Sequence, residues 1–97
     1  MKTLLLILGI TTLLGAADGA ALFQKCTTCH GENGEKHALN KSKVINEMSK
    51  EEIETALKGY KSGTYGGAMK ALMKGQIAAY DDEEIDTVAA FIAAKKQ

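Results

Sequence analysis

The chain has 97 residues, with twelve lysines, no arginine and twelve Asp/Glu, for a formal net charge of zero. That balance removes the electrostatic case for nucleic-acid binding. Tryptophan is absent and aromatics make up 5% of the chain, so there is little bulky side chain from which to build a core.

The chain begins with a short basic leader, Met1-Lys2, then an apolar run from Thr3 to Leu14 and the small residues Gly15-Ala16-Ala17. A charged start, an apolar stretch of about a dozen residues and a small-residue exit describe a cleavable export signal. The spacing predicts a signal peptide over 1–17, cleaved after Ala16 or Ala17. A spanning helix needs about 20 apolar residues, and Gly15 to Gly19 interrupts the run before that. No cysteine directly follows the run, which argues against lipoprotein processing. One domain, 18–97, remains, with eleven lysines against twelve acids and hence a net charge of −1. A domain of that size gains little stability from a hydrophobic core alone.

Asp18 to Lys25 reads as a short helix capped by Asp18, with Leu22, Phe23 and Cys26 at helical spacing. Gly19 lies on the face of Phe23, and a glycine inside a helix points to close contact with another helix. The helix delivers Cys26-Thr27-Thr28-Cys29-His30, the c-type haem attachment pattern. In that chemistry two thiols add to the haem vinyl groups as thioethers, and the following imidazole ligates the iron. A thioredoxin-like dithiol would want a βαβ context, and the sequence shows almost no strand pattern. A structural zinc site would want four ligands, and His37 is the only further nitrogen ligand of that kind. Haem also supplies the core that the composition lacks.

Gly31-Glu32-Asn33-Gly34 reads as a turn. Glu35 to Asn46 reads as a polar loop laid over one haem face and edge, with His37 in it as a solvated side chain. Ser49-Lys50-Glu51-Glu52 is a capping box, with Met48 and Ile53 as the staple. The helix it opens carries Ile53, Ala56, Leu57 and Tyr60 on one stripe, with Gly59 as its expected end. Tyr60 and Tyr65 are candidates either for a haem propionate or for plain edge packing. Met69 and Met73 share one face of a helix expected over 68–76. A thioether suits haem iron, and His/Met ligation raises a cytochrome's reduction potential. Spacing alone does not choose between the two. Lys74-Gly75 reads as a helix end beside Met73, with Met69 deeper in the same helix as packing. The last helix opens with a second capping box, Asp81-Asp82-Glu83-Glu84, stapled by Tyr80 and Ile85. It continues through Val88, Ala89, Phe91 and Ile92. Its acidic start and the closing Lys95-Lys96 complement the helix macrodipole.

With these features in place, the sequence resembles a small class I cytochrome c, most closely the periplasmic monohaem cytochrome c-553 group of bacteria. The likeness runs from Asp18 to the C-terminus. It rests on Asp-Gly-Ala-Ala-Leu-Phe before the motif, Lys-Gly-Tyr, Tyr-Gly-Gly, and Met-x6-Tyr-Asp-Asp-Glu-Glu-Ile. The resemblance implies an all-α fold of about four short helices wrapped around one haem, bound through Cys26 and Cys29. It implies His30 and Met73 as axial ligands, and packing of Gly19 and Phe23 against Val88 and Phe91. Many class I cytochromes hold the histidine's Nδ1–H with a proline carbonyl. This chain has no proline, so another carbonyl between Glu35 and Asn46 is expected there.

The function expected is electron transfer rather than catalysis: a monomeric periplasmic carrier cycling between Fe(II) and Fe(III). Its expected partners are redox proteins, such as a periplasmic dehydrogenase or a terminal oxidase or reductase, docking transiently at the haem edge near Lys70 and Lys74. The alternatives are a haem module of a larger redox complex, and an open-site haem enzyme or gas sensor.

Overall fold

The computed structural model describes residues 18–95. The expected signal peptide over 1–17 and its cleavage after Ala16 or Ala17 lie outside these residues. The chain enters through α1 (Gly19–Phe23), a 3-10 turn (Gln24–Cys26) and α2 (Thr27–His30), one unbroken helical run. Two further 3-10 turns follow (Ala38–Asn40 and Ile45–Glu47), then α3 (Lys50–Ser62), α4 (Lys70–Ile77) and α5 (Asp82–Ala93). With the first run taken as one body, the described residues form four helical bodies. Their only β pairing is an isolated bridge between His37 and Val44.

Local signals set the helix starts. The Asp18 carboxylate accepts the N–H groups of Ala20 at 3.0 Å and Ala21 at 3.3 Å. Ser49 with Glu52 and Asp81 with Glu84 form complete capping boxes, each satisfying two otherwise unpaired donors. Two helix ends differ from the sequence reading. α3 runs past Gly59 to Ser62 and stops at Gly63, whose φ of 85° suits glycine. Gly59 answers a different need, because a Cβ there would stand 2.5 Å from the Tyr65 Cβ. α4 runs through Lys74-Gly75 to Ile77. Ile77 is buried and anchors that last turn in the core, while nothing packs on Gly75.

The α1–α5 crossing closes the fold. A Cβ on Gly19 would meet the Phe91 Cβ at 2.8 Å, and the Phe23 and Phe91 rings tilt against each other at 5.7 Å. Phe23, Ile85, Val88, Ala89 and Ile92 are buried there, and Ile53, Leu57 and Ile77 extend the same cluster through α3 and α4. Lys50 pairs with Asp86 and ties the start of α3 to α5. No helix among the described residues is long and apolar enough to cross a membrane.

Candidate haem site

Cys26 closes the 3-10 turn, and Cys29 and His30 lie in α2, so a single stretch of helical chain positions all three. The cysteines are free thiols, both half-buried. Burial pushes the Cys26 thiol up, and the neighbouring Lys25 charge opposes that rise. His30 is 6% exposed. Desolvation lowers its pKa and favours the neutral imidazole, the form that ligates metals. Its Nδ1 is buried without a hydrogen-bond partner, so the expected carbonyl from 35–46 does not reach it. Several of that loop's carbonyls serve the loop itself. Ala38 O accepts the N–H groups of Lys41 and Ser42, and Ser42 O accepts the His37 Nδ1–H at 3.0 Å.

The turn after the histidine is built on two left-handed glycines, Gly31 (φ 90°) and Gly34 (φ 69°). The Glu35 carboxylate fills the place a Gly31 side chain would take, with Oε1 2.2 Å from an ideal Cβ. Its own N–H and that of Asn33 hold its pKa below the usual range. Gly34 N–H donates to Gly31 O at 3.1 Å, and Lys36 N–H to His30 O at 2.9 Å.

Beside the motif opens a cavity of about 440 Å³, within the span of small-ligand and cofactor sites. Ile53, Leu57, Ile77, Val88 and Ile92 form its apolar back wall, so the core cluster and the cavity wall are the same side chains. A second cavity of about 250 Å³ adds Cys29, Leu39 and Leu72. Cys26, His30, Met69 and Met73 line both. Free thiols, a neutral imidazole, two thioethers and an apolar wall in one concave space are a donor set that fits covalent haem.

The other expected residues are placed as follows. Met69 is the N-cap of α4 rather than a residue deep within it, and both methionines are half-buried. Tyr60 and Tyr65 line the larger cavity and meet edge to face at 5.0 Å. Burial, then Tyr65, raises the Tyr60 pKa. His37 is exposed and lines neither cavity. Lys70 and Lys74 line neither cavity, whereas Lys25, Lys41 and Lys43 do. Sequence reasoning passed over these three lysines, although Lys25 directly precedes Cys26. Leu39, an apolar residue of the loop expected over the haem face, has a φ of 53°, is 54% exposed and lines the smaller cavity.

Residues 16–96 match the family profile described as Cytochrome c. The chain belongs to the cytochrome c family. Its relatives agree along almost the whole length. Cytochrome c-553 of Nitratidesulfovibrio vulgaris (strain DSM 19637 / Miyazaki F) is 36% identical over 100 residues, covering 96% of this chain and 98% of the relative. Cytochrome c-553 of Helicobacter pylori (strain J99 / ATCC 700824) is 38% identical over 99 residues, covering 99% and 100%. Cytochrome c4 of Azotobacter vinelandii is 34% identical over 106 residues, covering 99% of this chain but 50% of the relative. The four-bodied all-α architecture is therefore a class I cytochrome c fold. The cytochrome is a small c-type electron carrier rather than an enzyme, and membership of the family implies covalently bound haem c.

Proposed function

We propose that the cytochrome is a periplasmic shuttle with His30/Met73 axial ligation, passing electrons between respiratory redox proteins. Residues 1–17 are its export signal and 18–97 the mature domain, a division supported by the family match beginning at residue 16. Bound haem supplies reversible one-electron cycling between Fe(II) and Fe(III). Cys26 and Cys29 fix the group to the chain as thioethers. His30, its pKa lowered by burial, would offer a ring nitrogen to the iron, and Met73, which lines the same cavities, would offer its thioether. The apolar wall would exclude water from the group, and Met73 packs against that wall.

The observation that carries this reading is the shared lining: His30 and Met73 stand on the walls of both cavities. Met69 shares that position, and the family register favours Met73. Docking is supported by charge placement. Neither cavity wall holds an acidic residue, and no acid occurs between Glu54 and Asp81 or between Glu35 and Glu47. A partner with an acidic rim would be steered there, chiefly through its on-rate. The deciding experiment is the optical spectrum with and without carbon monoxide. A sulfur-to-iron charge-transfer band in the oxidised form, with no carbon monoxide complex in the reduced form, upholds the closed carrier. Its absence, with carbon monoxide bound, overturns it in favour of an open-site haem protein.

A second reading, a haem module within a larger assembly, draws on the cytochrome c4 relative, of which this chain covers half. Sedimentation of the exported holoprotein separates the two, since the shuttle runs as a monomer.

A further inference from the structure

Lys25 stands one residue before the first attachment cysteine and lines both cavities. Its ammonium donates to the carbonyl of Gln76, which lies 51 residues further along the chain and in the last turn of α4. The last carbonyls of a helix lack partners within it and form the negative end of its dipole, so a cation there is favoured twice. The same Nζ sits 4.6 Å from the centre of the Tyr80 ring, a cation–π distance. Tyr80 is itself held from two sides: its hydroxyl donates to Leu22 O in α1, and Lys61 of α3 donates to its backbone carbonyl. The attachment helix, α3 and the α4–α5 connection thus converge on two residues, Lys25 and Tyr80.

We propose that Lys25 is a positioning residue, whose bond to Gln76 O and seat on Tyr80 hold the Met73 helix against the attachment turn. The function of that tether rests on the reading of Met73 as the axial ligand. Met73 lies three residues before Gln76, about one helical turn. Releasing the end of α4 therefore frees the turn that carries the thioether, while the α1–α5 crossing stays packed through Phe23 and Phe91. A lysine that is merely solvated would have neither the carbonyl nor the ring.

The test uses exported holoprotein in four forms: wild type, Lys25→Met, Lys25→Arg and Tyr80→Phe. Imidazole is titrated into the oxidised forms while the charge-transfer band is followed, and amide hydrogen exchange is read across α4 and α5. A hydrogen bond to a charged group is lost in Lys25→Met. Its imidazole affinity and its exchange rates in α4 should each rise about tenfold, the factor that corresponds to about 1.4 kcal/mol, with α5 unchanged. Arginine keeps the charge, the donors and the ring contact, and should restore wild-type values. Tyr80→Phe keeps the ring but loses the Leu22 bond, and should fall between. Wild-type affinity and exchange in Lys25→Met overturn the proposal. So does a uniform rise in α4 and α5 together, the mark of general destabilisation. Should wild type lack the band, the Met73 reading fails, and exchange alone then decides the tether: a selective rise in α4 upholds it and no rise overturns it.

Discussion

The side-chain amide of Asn46 donates to the carbonyl of Asn33 at 3.0 Å, joining the loop before α3 to the turn that follows His30. Its backbone N–H donates to Gly34 O at 3.0 Å, and the amide also reaches Lys95 O at 3.4 Å. At 3% exposure Asn46 is one of two buried polar side chains among the described residues, the other being His30. One amide thus braces the histidine's turn against the end of the last helix. Asn46→Ala removes the donor from these part-buried carbonyls and should cost about 0.5–1.5 kcal/mol. Denaturant unfolding of the holoprotein measures it, and a change under about 0.5 kcal/mol, the range of an ordinary surface substitution, contradicts the brace.

Gly19 permits the α1–α5 crossing. The 2.8 Å approach to the Phe91 Cβ means that even alanine must push the helices apart. Overpacking of this kind costs about 1–3 kcal/mol, partly offset by alanine's better helix propensity. Gly19→Val should lose more, because its branched Cβ adds two methyl groups at the same spot. Thermal melts should rank wild type, alanine and valine in that order.

Attachment is tested at the cysteines. Cys26→Ala together with Cys29→Ala should give protein from which haem separates in acid-acetone and on denaturing gels. Wild type matured in an exporting host should retain it. Free haem from wild type would refute covalent attachment through this motif.

The methionines separate by spectrum. Met73→Ala should lower the reduction potential, abolish the sulfur-to-iron charge-transfer band and admit carbon monoxide to the reduced form. Met69→Ala should keep the band. Because Met69 is half-buried, its loss should cost less than the ~2–5 kcal/mol of a fully buried methionine. Reversal of the two phenotypes moves the ligand back by one helical turn.

An acid limb in the stability profile follows from Asp86. Hydrogen bonding to Lys50, chiefly, lowers its pKa in the folded protein. A carboxylate depressed on folding contributes stability above its unfolded pKa, near 4, and loses it as pH falls through the folded value. Asp86→Asn should therefore flatten the drop in melting temperature below about pH 4 and slightly lower sensitivity to added salt, the pair being exposed. An acid limb identical to wild type would assign the drop to other carboxylates.

Much of this architecture was legible because its signals are local. Both capping boxes, the Asp18 cap and the stripes of α3 and α5 depend on residues three or four apart, whereas the Gly19–Phe91 approach joins distant helices and was implied only by the family resemblance. The misplaced helix ends have a different origin. Gly59 and Gly75 look alike as stop signals, yet one answers the close packing of Tyr65 and the other faces open space. Only the packed fold, with Ile77 buried, decides how far α4 extends. The cavity lysines escaped notice for a similar reason. Lys70 and Lys74 flank a candidate ligand in sequence, while Lys25, Lys41 and Lys43 reach the walls through the path of the chain.

The Gly31–Gly34 turn also bears on how long the molecule lasts. Asn33-Gly34 is the dipeptide most prone to deamidation, a reaction that begins when the glycine nitrogen attacks the asparagine side-chain carbonyl. Here that nitrogen's hydrogen is engaged by Gly31 O at 3.1 Å, and the Asn33 N–H is held by Glu35. The bonds that shape the turn thus also occupy the hydrogen of the attacking nitrogen. The turn after His30 should thereby slow a reaction that would otherwise alter its own backbone.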